Sequence, residues 1–128
     1  MSLPNKIKNF LSQNNFTLVH LETVESTMKE IKKYIGSKNI CMIADQQTVG
    51  IGRRGNEWIS PKGNIYLSFL IKLELSIEDH FLISAVTANS IVSFLMKYIK
   101  EKIYIKWPND ININQYKIAG IMTEIIEK

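Results

Sequence analysis

Only two of the 16 basic side chains in this 128-residue chain are arginines, Arg53 and Arg54, and they stand side by side. Cysteine occurs once and proline three times. The single Cys41, inside the apolar stretch "NICMIA", excludes an internal disulfide and sits where a small buried hydrophobe would. No apolar run approaches the roughly eighteen residues of a membrane-spanning helix, and "MSLPNKIKNF" lacks the apolar centre of a signal peptide. These absences point to the cytoplasm and away from a membrane. Internal repeats, low-complexity tracts and linkers are also missing. What remains, 45% hydrophobic and 22% charged residues, suffices for one packed core of ordinary composition.

The net charge of +4 admits nucleic acid, anionic small molecules or acidic proteins as partners. The lysines are dispersed, however, and the excess of Lys, Ile and Asn over Arg, Ala and Gly is what an A+T-rich coding bias produces. Against that background an arginine pair is notable. Its planar forks of donors suit carboxylate and phosphate in a way lysine cannot copy.

Along the chain, residues from about Pro4 to Asn14 read as a short helix and "FTLVHLET" as a strand. Thr27 and Glu30 form a capping box, Met28, Ile31 and Ile35 recur at helical spacing, and Gly36 ends that helix. "NICMIAD" reads as a buried strand and "NIYLSFLIKLEL" as another. Ser76 and Asp79 open a helix running to about Tyr98, apolar on most sides and therefore expected to be buried. "KIYIKW", "DININ" and "KIAGIMTEIIEK" read as closing strands, with turns at Pro108-Asn109 and Asn114-Gln115 and the last strand continuing to the final residue. The irregular interleaving predicts an α/β (α+β) domain with a mixed β-sheet packed with helices.

From Gln46 to Lys62 there is no periodicity, and four of the six glycines fall between Gly50 and Gly63. Loops this long inside a compact domain are usually functional or disordered. Gly50, Gly52 and Gly55 would let main-chain amides line an anion site to which Arg53 and Arg54 add charge. The formal GxGxxG of Gly50 to Gly55 leads into "NEWISPKGN" rather than a helix, which excludes the dinucleotide fingerprint, and no Walker-type lysine motif is present. Trp58 reads equally as a stacking surface for a purine and as an anchor of the loop to the core. In "IKWPNDI", Asn109 and Asp110 at a strand end, with Lys117 on the next strand, suit either a magnesium-phosphate or ribose contact or a plain Asx turn.

Taken in order, "VESTMKE", "QQTVGIGRRGNEW", "SPKGNIYLS", "KWPNDI" and "KIAGIMTE" resemble the catalytic domain of biotin protein ligases, the biotin–[acetyl-CoA-carboxylase] ligases. The resemblance spans Glu25 to Glu124. It implies a class II aminoacyl-tRNA synthetase-like fold and a two-step reaction. Biotin and ATP, with magnesium, give biotinyl-5′-adenylate and pyrophosphate, and the acyl group passes to a lysine of a biotin carboxyl carrier protein. It also implies site residues. Ser26, Thr27 and Gln47 hold the ureido end of biotin, and Gly50, Ile51, Gly52 and Arg53 form a loop over it. That loop is without structure when empty and excludes water when closed. Arg53 meets the phosphate or the activated carboxyl, Arg54 and Trp58 contact the nucleotide, and Trp58 stacks on adenine. Lys117 neutralises charge where carboxylate meets phosphate. Gly120 lines the biotin site, while Asn109 and Asp110 serve the nucleotide, with Asp110 the candidate magnesium ligand.

Several positions depart from the family pattern. Ile51 stands where an arginine is usual, Met28 where an asparagine often follows the Ser-Thr pair, and Asn56 where another basic residue is common. No DNA-binding domain precedes the motifs, so DNA binding is not expected, and a homodimer is compatible with the family. The family's next glycine-rich strand and its C-terminal β-barrel domain would lie beyond Lys128, so residues 1–128 read as a catalytic domain incomplete at its C-terminus. Three functions follow in descending order: ATP-dependent biotinylation, a biotin- or adenylate-binding remnant without turnover, and nucleic-acid binding through the basic loop. Lipoate ligases and octanoyl transferases share the fold, but "GRRG" with "KWPND" favours biotin.

Overall fold

Pro4, whose φ of −56° suits a helix start and whose missing N–H costs nothing there, precedes helix α1 (Asn5–Gln13). Its buried Leu11 faces inward while the charged and amide side chains face solvent. The computed structural model describes residues 3–126. Two compact units emerge, one up to Leu73 and the other from Glu74 onward. Among the described residues no helix is long and apolar enough to cross a membrane.

In the first unit, strand β1 (Phe16–Val24) pairs in parallel with β2 (Asn39–Gln47), which pairs antiparallel with β3 (Tyr66–Leu70). The parallel pairing requires a crossover. Helix α2 (Thr27–Glu30) and a tighter turn over Ile31–Tyr34 provide it, ending at Gly36 with φ 90°. Ile31 carries the crossover onto the sheet, where Ile31, Ile40 and Met42 form the core and Val19, Leu21, Tyr34 and Leu70 pack around them. The mixed sheet predicted from the sequence is this one.

In the second unit, helix α3 (Phe81–Leu95) packs on β4 (Ile103–Lys106) and β5 (Asp110–Ile113), and β6 (Tyr116–Gly120) completes an antiparallel sheet. Ile105 lies opposite Ile111, and Ile111 and Ala88 are fully buried. The turns fall where predicted, with a cis Trp107-Pro108 bond in the first and Asn114 at φ 53° in the second.

Four sequence expectations need correction. Thr27 and Glu30 do not form a capping box: Ser26 takes the N-cap position, the Thr27 hydroxyl bonds Gln47, and Glu30 bonds Lys33 at 2.8 Å. The strand predicted through Leu75 stops at Leu70, because its partner β2 begins at Asn39 and pairing ends at Ile40 with Leu70. Helix α3 is not buried on most sides. Only Ala88 and Val92 are, while Phe81, Leu82, Val86 and Phe94 remain exposed, since packing on β4 and β5 covers one stripe. Finally, β6 ends at Gly120, residues 121–126 are irregular, and the final two positions lie outside the described residues.

Candidate functional site

The first unit gathers Ser26, Thr27 and Gln47 where β1 hands over to α2. Ser26 and Thr27 are 1% and 3% exposed, so each polar atom there must find a partner or cost free energy. The Thr27 N–H and hydroxyl both donate to Gln47 Oε1, at 2.8 and 3.1 Å. The Ser68 hydroxyl, from the buried face of β3, donates to Thr27 Oγ1 at 2.8 Å. On the other side, Gln47 Nε2 donates to Ser60 Oγ at 3.0 Å, and the Ser60 hydroxyl donates to the Trp58 carbonyl at 2.8 Å. Ser26 Oγ is buried and has no hydrogen-bond partner among the described residues. Ser60 and Ser68 were not singled out in the sequence, where the run Tyr66–Leu70 gives no sign that Ser68 rather than Leu67 or Phe69 is buried.

The segment after Gln47 is a closed hairpin, where a loop without structure was expected. Gln47 bridges Ser60 and Ile51 bridges Glu57, and the Trp58 N–H donates to the Gly50 carbonyl at 2.8 Å. Gly50 is obligatory there: a Cβ would collide with the Trp58 carbonyl oxygen and the Ser60 hydroxyl. The tip turns through Arg53–Gly55, with Arg54 at φ 58° and Gly55 at φ 77°, and holds both arginines exposed. The expected run of ligand-facing amides is not what the glycines build, because the Gly52 N–H donates to the Asn56 carbonyl at 2.7 Å and closes the tip. Trp58 is partly buried, on the strand of the hairpin that faces Gly50.

A groove of about 470 Å³ lies beside α2, lined by Leu21, Thr23, Val24, Glu25, Ser26, Lys29, Glu30 and Lys33. Of the predicted binding residues only Ser26 lines it. Its rim carries the Lys33–Glu30 ion pair, at 2.8 Å, whose hydrogen bond and charge raise the Lys33 pKa.

The second unit places Asp110 on β5, Lys117 and Gly120 on β6, and Asn109 in the turn that leads into β5. Asp110 lies opposite Gly120 across β5 and β6, and the Ile121 N–H donates to the Asn109 carbonyl at 2.8 Å. A bulge between Ile111 and Asn112 sets Lys117 opposite Asn112. Lys117 Nζ then reaches Asp110 Oδ1 at 2.9 Å, with the two side chains 40% and 21% exposed. No group of three or more His, Cys, Asp or Glu side chains suited to a metal exists among the described residues. One carboxylate next to an ammonium fits a magnesium ion that arrives on a nucleotide and keeps phosphate and water ligands, and does not fit a resident metal.

Residues 20–128 match the Biotin/lipoate A/B protein ligase family. The chain belongs to that family. The bifunctional ligase/repressor BirA of Escherichia coli is 37% identical over 112 residues, which cover 84% of this chain and 35% of that protein. The biotin–[acetyl-CoA-carboxylase] ligase of Paracoccus denitrificans is 33% identical over 85 residues, 65% of this chain and 35% of that one. A solved biotin protein ligase from Aquifex aeolicus, in complex with biotin and ATP, superposes with a TM-score of 0.70 at 30% identity, over 85% of this chain and 47% of that chain. This member of the ligase family thus has the mixed α/β fold of biotin protein ligase catalytic domains, and it spans about a third of the length of the curated relatives it matches.

Proposed function

We propose that this chain supplies the catalytic-domain residues of an ATP-dependent biotin protein ligase, which forms biotinyl-5′-adenylate and passes biotin to a lysine of a carboxyl carrier protein. One observation carries the reading. The hairpin bearing Arg53 and Arg54 is hydrogen-bonded through Ser60 and Gln47 to Thr27, so donors suited to a ureido ring and cations suited to phosphate belong to one bonded structure.

The chemistry sets two anions against each other, since the biotin carboxylate must attack the α-phosphate of ATP. Holding both in line removes the entropic part of that barrier, and fixed cations remove much of the electrostatic part. Ser26, Thr27 and Gln47 take the ureido end, and Gly50, Ile51 and Gly52 pass over the ring, while Gly120 serves biotin as the family resemblance implies. Arg53 faces the phosphate or the mixed anhydride, Arg54 and Trp58 contact the nucleotide, and Trp58 stacks on adenine. Lys117, held against Asp110 without ligand, turns to the reacting carboxylate and phosphate. Asn109 and Asp110 serve the nucleotide, and a magnesium ion held by Asp110 would screen the phosphate charge.

A second reading, ligand binding without turnover, is favoured by one position. Ile51 bridges Glu57 in the hairpin and brings no cation where the family resemblance implies an arginine. Incubation with biotin, ATP, magnesium and a carboxyl carrier domain separates the two. Avidin-detectable biotin on the carrier supports the ligase, whereas biotin binding by calorimetry with no pyrophosphate released supports the binding-only reading.

A further inference from the structure

The Gln47 side chain is held more completely than a ligand contact requires. Its oxygen accepts two hydrogen bonds, from the Thr27 N–H and hydroxyl, and its nitrogen donates one to Ser60. Both ends of this group are anchored further out. The Thr27 hydroxyl, having given its proton to Gln47, can only accept from Ser68, and Ser60, having accepted from Gln47, gives its own proton to the Trp58 carbonyl. Every hydroxyl proton in the series Ser68, Thr27, Gln47, Ser60, Trp58 therefore has one direction. Ser60 and Ser68 are 5% and 6% exposed, so water is a poor substitute for either. Gly50, which admits no Cβ, packs against the same junction of Gln47, Trp58 and Ser60.

We propose that Ser60 and Ser68 are positioning residues. Through opposite ends of the relay they lock the amide of Gln47 in one orientation and tie it to the register of the arginine hairpin. Two groups are then left for a ligand, the remaining Nε2 hydrogen of Gln47 and the buried, unpartnered Ser26 hydroxyl. Both can donate to a carbonyl oxygen, the chemistry of a urea. Ser68 does not bond Gln47 directly, so any influence it has on the amide passes through Thr27. The relay itself stands on geometry, and its role in ligand binding rests on the biotin reading above.

The test has two arms on the whole chain. In 15N-labelled protein without ligand, Ser68→Ala should shift the Gln47 side-chain NH2 signals and speed exchange of the Trp58 backbone amide. Unchanged signals at both would overturn the relay. Biotin is the probe in the second arm, by calorimetry. Ser60→Ala and Ser68→Ala should each weaken it about tenfold, and the double variant should lose about tenfold rather than a hundredfold, because either break frees the same amide. Additive losses, or lower stability with unaltered affinity, would overturn the positioning role. Ser60→Cys and Ser68→Cys keep the shape with weaker hydrogen bonding and serve if an alanine variant does not fold. If wild-type protein binds no biotin, the biotin reading falls, while the amide signals still decide whether the relay exists.

Discussion

Gly50 is the residue whose replacement the hairpin should tolerate least. A methyl group there must displace the Trp58 carbonyl and the Ser60 hydroxyl, so Gly50→Ala should cost about 1–3 kcal/mol of stability, read from urea unfolding, and abolish measurable biotin binding. Lys117 should behave in the opposite way. Its ion pair with Asp110 is partly exposed, so Lys117→Ala should change stability by less than about 1 kcal/mol while lowering adenylate formation roughly a hundredfold or more. A variant that unfolds, or one that forms adenylate at the normal rate, would contradict this. The His20–Asp45 contact, at 2.8 Å, gives a third test. The hydrogen bond from His20 lowers the Asp45 pKa, so its stabilisation is present above the ordinary aspartate range and disappears as pH falls through the lowered value. His20→Leu should return the Asp45 carboxyl toward its usual pKa in an NMR titration and flatten that acid limb. Motif resemblance singled out Gln47 and Lys117 as candidates, but Ser68 meets Thr27 across 41 positions of chain, a distance no local pattern spans.

Strands were legible where apolar and polar residues alternate or run together, as in "NICMIAD". Their ends were not, because a strand stops where its partner does: Leu70 pairs with Ile40, and beyond it the ladder gives way to a side-chain bond, the Lys72 N–H donating to Asn39 Oδ1 at 3.2 Å. The glycine loop read as irregular for a related reason. Its order comes from bonds of Gly52 to Asn56 and Trp58 to Gly50, between residues that carry no periodic signal. Apolar content likewise announced α3 as a helix but misjudged its burial, which depends on what packs against it. Within β2 the reading of Cys41 as an inert core residue leads to a direct test. Burial pushes its thiol up to about 11, so iodoacetamide at neutral pH should label it only as fast as the protein opens. Rapid labelling of native protein would show that β2 is not the shielded strand described.

For the whole molecule, the family was legible from five ordered motifs, and the match over residues 20–128 bears it out. Turnover was not legible, because the motifs include the departure at Ile51 and the relatives are about three times the matched length. The proposed function is activation of biotin on ATP, with Lys117 assigned to the reacting carboxylate and phosphate. Exchange of labelled pyrophosphate into ATP, with magnesium, is the decisive measurement. Exchange should require biotin and fall sharply in Lys117→Ala. Exchange independent of biotin, or none in a protein that binds both biotin and ATP, would contradict it.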